Sequence, residues 1–299
     1  ALHKLVTIMQ GCDNYCTYCV VPYVRGRERS RPAAEIIQEV KDFLTQGGLE
    51  VTLLGQNVNS YGRGLTPAVS FPELLRRLAG LPGLARLRFT TSHPRDLSED
   101  LIRCFGELPP LCEHIHLPVQ SGANQVLQAM HRGYSREEYL SRVERLRQFC
   151  PDIALSTDLI VGFPGETEAD FQDTLSLMRQ TGFDAAFYFK YSPRPQTAAA
   201  AFPRQVPEAV KTERLARLKA VQEELSLASN RRLLGQTREV LVEGFSKQPG
   251  AQLTGRLRSN HVVNFDGPQE LIGRMVRVRI TKAHLHSLGA LLCEPECAV

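Results

Sequence analysis

Cys12, Cys16 and Cys19 stand in the stretch QGCDNYCTYCVVPYVRGRERSRP as C-x3-C-x2-C. Eight cysteines scattered at random would give roughly 0.006 such triples, so chance is a poor account of the spacing. Structural zinc sites take four ligands, commonly two C-x2-C pairs or cysteines joined by histidines. No fourth ligand lies nearby, since His3 precedes the loop and the next histidine is His93. Three thiolates on a tight loop suit a [4Fe-4S] cluster, whose fourth iron would stay open to a substrate or cofactor. A zinc ion closed by a distant cysteine or histidine is the alternative at this point. Cys104, Cys112, Cys150, Cys293 and Cys297 are scattered, which is not how a disulfide scaffold uses cysteines. The first three fall in or beside predicted helices and read as buried apolar thiols. The last two read as structural or incidental.

Chemistry at such a loop needs elements to hold it. Short apolar strands are predicted at 5–9, 51–55, 86–92, 114–119, 153–162 and 185–192, each separated from the next by a helix-like stretch. Helix starts are marked by Ser98 with Glu99 and Asp100, by Ser135 with Glu138, and by Thr167 with Asp170. Six strand–helix units predict an α/β fold with a parallel sheet, as a partial barrel or an open sheet. In either, the strands' C-terminal ends gather the chemistry, and Cys12, Gln56, Ser92, Gln120, Asp158 and Tyr191 would sit there. A proline- and alanine-rich connection then leads to a long helix over 207–235, with an apolar stripe of Val210, Leu215, Leu218, Val221 and Leu225. From about residue 236, alternating segments punctuated by glycine predict a small β-barrel. The expected domains are 1–234 and 235–299.

The 299 residues are 42% hydrophobic and 23% charged, typical of a folded globular chain. Neither a membrane-length apolar run nor a signal peptide is present, which points to the cytosol and no membrane partner. The start, ALHKLVTIMQGC, reads as a cut at a domain boundary of a longer protein. A net charge of +4 is mild, so an anionic partner would need local patches. GFPGET lacks the G-K-[ST] of a phosphate loop. His114 and His116 alternate on a predicted strand without a third ligand, and read as packed or hydrogen-bonded histidines.

The cysteine loop, with Tyr18 before its last cysteine, at the end of a first strand in a (β/α)6 run, resembles the radical S-adenosylmethionine (SAM) enzymes. LLGQNVNSYG, HLPVQSGANQVLQAMHRGY, TDLIVGFPGET and KYSPRPQT are similar to the methylthiotransferases, among them the MiaB-like tRNA enzymes. VLVEG, LTGRLRSNHVVNF and GRMVRVRIT resemble a TRAM domain, an RNA-binding β-barrel. The resemblance implies a (β/α)6 partial TIM barrel followed by a TRAM barrel. It implies three irons held by Cys12, Cys16 and Cys19, the fourth being chelated by the amino and carboxylate groups of SAM. Reductive cleavage would give a 5′-deoxyadenosyl radical. Gln56 and Asn57 would hold the SAM amino group, and Ser92, Gln120 and Asp158 its carboxylate and ribose. Ile160 and Gly162 would lie along the adenine, with Tyr18 and Tyr191 beside the cofactor.

In the MiaB-like enzymes the radical acts at C2 of an N6-isopentenyladenosine at position 37, next to the anticodon. Sulfur reaches that carbon through a second [4Fe-4S] cluster on an N-terminal domain, and a second SAM methylates it. These residues hold no such second cysteine set, so the expectation is SAM cleavage without sulfur insertion. Expected partners are the tRNA anticodon stem-loop and a reductant such as flavodoxin or ferredoxin, with the chain monomeric. Arg25, Arg27, Arg29 and Arg31 offer phosphate a local field with only Glu28 against it, or else pair with carboxylates. Arg256, Arg258, Arg277 and Arg279, at alternate positions on barrel strands, would form one basic face for RNA. Gln196 replaces the glycine of S-P-R-P-G-T, so that loop is expected to run differently. Two further readings stand beside this one: a ribosomal-protein aspartate methylthiotransferase, and a non-catalytic RNA-binding protein with a structural metal.

Overall fold

The structure is a computed structural model describing residues 2–246 and 252–293; Lys247 and Cys297 lie outside them. The chain divides into one unit built on His3–Gln222 and another from Glu223 onward, the boundary falling inside the long helix. In the first unit, β1 (His3–Thr7) is followed by β2 (Met9–Gln10), α1 (Val21–Arg25), β3 (Arg29–Ser30) and α2 (Ala33–Thr45). Next come β4 (Glu50–Leu54), α3 (Phe71–Ala79), β5 (Arg86–Phe89), α4 (Glu99–Glu107), β6 (His114–His116), α5 (Asn124–Ala129) and α6 (Arg136–Phe149). The unit closes with β7 (Ala154–Val161), α7 (Glu168–Thr181), β8 (Ala185–Lys190) and the start of α8 (Glu208–Arg232).

Strands β1, β4 and β5 form one parallel ladder, and β6, β7 and β8 another. The halves meet where Leu87 bridges Leu111, through Leu87 N–H to Pro110 O at 2.7 Å and Cys112 N–H to Leu87 O at 2.9 Å. Six parallel strands in chain order make the expected partial barrel, with this narrow seam at its middle. Its outer face is apolar: Val6, Leu53 and Phe89 share a register row, and Phe89 meets Phe71 of α3 edge-on at 5.1 Å. Each such fully buried side chain contributes about 1.5–3 kcal/mol. The concave face is polar, which the apolar strand readings did not foresee. Glu50 accepts from Arg88 Nε at 3.1 Å and lies 3.8 Å from Arg86, all three buried.

Helix starts follow the sequence. Ser98 Oγ accepts from Leu101 N–H at 3.2 Å, while Ser135 with Glu138 and Thr167 with Asp170 close reciprocal capping boxes. On α8, Leu218 and Val221 are buried as the stripe predicts, but so are Gln222, which donates to Phe183 O at 3.1 Å, and Lys211 and Arg214, whose polar partners are described below. Cys104, Cys112 and Cys150 are buried, as expected.

In the second unit β9 (Thr237–Phe245), β10 (Leu253–Leu257), β11 (Val262–Phe265), β12 (Met275–Ala283) and β13 (Leu288–Leu292) close into a barrel in the order β10-β11-β13-β12-β9. Val240, Val242, Leu253, Val263, Phe265, Val278, Ile280 and Leu288 fill it.

Candidate metal centre

The cysteine loop leaves β2 at Gly11, whose amide donates to Gln56 Oε1 at 2.7 Å, just beyond β4. Gly11 has φ +77°, and a Cβ there would lie 2.2 Å from Arg27 O, so this turn requires glycine. Cys12 N–H donates to Gly26 O at 3.3 Å and Cys19 N–H to Cys16 O at 3.0 Å. The middle of the loop is clasped from elsewhere: Thr17 donates its N–H to Met130 O at 3.1 Å and its hydroxyl to Ala129 O at 2.8 Å. Arg95 reaches Asn14 Oδ1 at 2.5 Å. Cys12 and Cys16 are buried and Cys19 is half-buried. Sequence reading missed Arg132, which donates to Cys16 Sγ at 3.3 Å.

The strand-end candidates divide. Tyr18, Ile160 and Tyr191 come together around an apolar cluster of Ala123, Val126, Met130, Phe163 and Ala199. Gly162, at the end of β7, has φ +73° and packs against Lys211, whose Cγ would be 2.3 Å from an added Cβ. Glu166, missed in the sequence, turns back to accept from the amides of Gly162 at 2.8 Å and Phe163 at 3.2 Å. Ser92 Oγ and Tyr191 Oη are buried without a hydrogen-bond partner. Gln120 is buried with φ +75° and bridges to β7 through its backbone.

Others have partners within the protein. Asn57 is buried, donating to Asp96 Oδ2 at 2.6 Å and accepting from His93 N–H at 3.2 Å, so it ties two loops together. The Gln56 carbonyl oxygen is likewise engaged by Gly11. Asp158 lies within β7 rather than at its end, 3.4 Å from His116 Nε2. Ser156 Oγ meets His116 Nδ1 at 3.0 Å and His114 Nε2 at 3.2 Å, so both histidines are hydrogen-bonded, as expected. Gln196 takes φ +69°, so the loop keeps the left-handed turn that glycine would give, instead of running differently.

His93 beside this site predicts a pH effect. Its ring is buried, Nδ1 accepts from Arg95 N–H at 3.2 Å, and Nε2 has no partner. Burial, then Arg132, Arg95 and Arg142, push its pKa from 6.5 down to about 2. The folded state therefore refuses a proton that the unfolded state accepts, and stability is lost as pH falls below 6.5. Urea unfolding is expected to show about 2 kcal/mol lost to this residue between pH 7 and pH 5. His93→Asn should remove that part of the difference; an unchanged pH dependence would place the acid sensitivity elsewhere.

Residues 6–178 match the Radical SAM superfamily, and residues 231–292 match the TRAM domain. The chain belongs to the radical SAM superfamily. It is 55% identical, over 97% of its length, to a tRNA-2-methylthio-N(6)-dimethylallyladenosine synthase of Syntrophobacter fumaroxidans. A protein of the same name from Moorella thermoacetica is 58% identical over 93% of the chain. The chain spans 64% and 63% of these relatives' lengths. Among solved structures it resembles the radical SAM methyltransferase TsrM of Kitasatospora setae, with TM-score 0.54 and 18% identity, over 66% of this chain and 38% of that one. Streptococcus suis SuiB is similar at TM-score 0.50 and 13% identity, over 77% of this chain and 48% of that one. Both likenesses bear on fold.

The residues present fit the superfamily's cluster. Burial pushes the Cys12 and Cys19 thiols up, and the neighbouring cysteines add to it. Thiols packed this way ionise when a metal takes up their charge. Among the described residues no three His, Cys, Asp or Glu side chains are grouped as ligands of one metal ion. A cubane, whose cysteines bind separate irons, does not need them to be. The partnerless Ser92 hydroxyl and Tyr191 phenol leave hydrogen-bonding capacity for a polar cofactor.

The basic residues are less uniform than the sequence suggests. Arg31 is structural: it donates to Thr7 O at 2.6 Å and pairs with Glu39 at 2.9 Å. Arg27 lies 3.6 Å from Asp13, while Arg25 and Arg29 are exposed. In the barrel, β9 lies between β10 and β12, so Glu239 and Glu243 interrupt the single basic face expected. Arg256 pairs with Glu243 at 3.2 Å, Arg258 is half-buried just beyond β10, and Arg277 and Arg279 are exposed on β12.

Proposed function

We propose that the chain is the SAM-cleaving and RNA-binding part of a tRNA methylthiotransferase acting at C2 of N6-isopentenyladenosine 37. One observation carries this: the clasped three-cysteine loop occurs in a chain 55% identical to a protein named for that tRNA product. Bound there, a [4Fe-4S] cluster and SAM supply a carbon-centred radical on reduction. Cys12, Cys16 and Cys19 hold the irons, and Gln56 and Thr17 fix the loop that presents them. Tyr18, Ile160 and Tyr191 line an apolar cluster suited to adenine, with Gly162 following on from β7, and Ser92 offers a hydroxyl to the cofactor's polar end. Arg25, Arg29 and Arg279 are exposed cations suited to meeting phosphate. A flavodoxin- or ferredoxin-type donor, a monomeric state and a cytosolic setting belong to the same proposal. Among the described residues no helix is long and apolar enough to cross a membrane.

Anaerobic reconstitution with iron and sulfide, then reduction with SAM, tests the reading. The expected result is 5′-deoxyadenosine, formed faster with an isopentenylated anticodon stem-loop than with the unmodified one. A cluster-loaded protein indifferent to every stem-loop would overturn the tRNA assignment. A colourless zinc protein would overturn the radical chemistry.

A further inference from the structure

Arg132, in the MHRGY stretch after α5, is a buried cation, 4% exposed. Its Nε donates to Tyr134 Oη at 3.0 Å and one terminal nitrogen to Pro118 O at 2.8 Å. The other terminal nitrogen reaches Cys16 Sγ at 3.3 Å and Tyr18 Oη at 3.4 Å. Among the described residues no carboxylate pairs with it. A guanidinium taken out of water without an anion costs several kcal/mol, so a counter-charge is called for. Its oxygen neighbours do not supply one: Pro118 offers a neutral carbonyl, and Tyr18 and Tyr134 offer phenol hydroxyls, which carry no charge near neutral pH. The remaining partner is the Cys16 sulfur.

We infer that Arg132 is the built-in counter-cation of the cluster at Cys16 and holds its reduction potential up. The inference rests on the cluster assignment above. Hydrogen bonds to ligating sulfur and nearby charge are two levers by which a protein sets such a potential. A fixed cation favours the more negative, reduced form, and so eases the electron transfer that precedes SAM cleavage. The competing role is mechanical, because Arg132 also grips Pro118. The loop has separate anchors at Met130 O and Ala129 O, so removing the charge need not release it.

The test is a mediated redox titration of the reconstituted chain, followed by electron paramagnetic resonance. At a fixed potential, Arg132→Met should lower the reduced-to-oxidised ratio at least tenfold, a midpoint about 59 mV more negative for one electron. Arg132→Lys, which keeps the charge but not the planar fork, should stay within tenfold of wild type. A methionine variant with full iron and the wild-type midpoint overturns the inference, as does a lysine variant shifted as far as methionine. Should methionine fail to take up iron while lysine succeeds, the charge is required already at assembly, which supports it. Failure of both, with the fold intact by circular dichroism, overturns it in favour of a bracing role. A wild type that holds no cluster would instead defeat the cluster assignment itself.

Discussion

Cys16→Ala is expected to reduce 5′-deoxyadenosine formation to background and to leave iron well below four per chain after reconstitution. Cys16 is the middle cysteine of the loop, its carbonyl accepts from Cys19 N–H, and its sulfur faces Arg132. Its loss leaves two thiols and a buried cation without a soft anion. Cys104→Ala is the control: that thiol is fully buried in α4 and bonds Asp100 O at 3.3 Å, so its loss costs stability and leaves iron content unchanged. Full iron and normal nucleoside yield in the Cys16 variant would sink the assignment of the loop. Absence of nucleoside from a wild type that demonstrably carries a [4Fe-4S] cluster would point to misassigned SAM contacts or to a need for further chain.

Glu166→Ala is expected to destabilise the first unit by about 3–5 kcal/mol, the cost of breaking a buried ion pair from one side. The carboxylate meets Arg214 at 2.9 Å, with both side chains buried, and accepts the Gly162 and Phe163 amides. Burial pushes its pKa up to about 6 against the pull of Arg214 and the two amides, so the pair is still ionised at pH 7. Alanine would strand a cation and two backbone donors together. The loop carrying Gly162 and Phe163 should loosen, so SAM affinity should fall along with the urea midpoint. A loss under about 1 kcal/mol would show that water or Glu168, 3.5 Å from Arg214, takes over the charge.

How much of this was legible follows from how local each signal is. The three helix caps span four residues or fewer and were read correctly, because short-range geometry depends on nearby chain; the cysteine triple was visible for the same reason. The six strands were found, with ends two to three residues off where they ran into loops, as at Phe89 and His116. Long-range polar pairs were not legible. Glu166 and Arg214 are 48 residues apart, and Arg132 and Cys16 are 116 apart. A stripe reading of α8 sees Leu218 and Val221 but has no means of knowing that Lys211 will find Tyr191 O at 3.0 Å. Nor does the resemblance that gives Asn57 to the cofactor show that its side chain meets Asp96 and His93. Gln196 shows the reverse error, since tertiary context holds a non-glycine residue in a turn that local preference disfavours.

The seam at Leu87 and Leu111 gives the cysteine loop a second consequence. A ladder joined here by two backbone hydrogen bonds is the weakest line in the sheet, so the two halves are natural units of partial opening. The loop is tied to both, through Gln56 and Arg95 on one side and through Ala129, Met130 and Arg132 on the other. Whatever binds the three cysteines therefore binds the closed sheet in preference to the opened one. By mass action the metal centre becomes a staple across the barrel, and its loss to oxygen would be felt as a loss of cooperativity far from any cysteine.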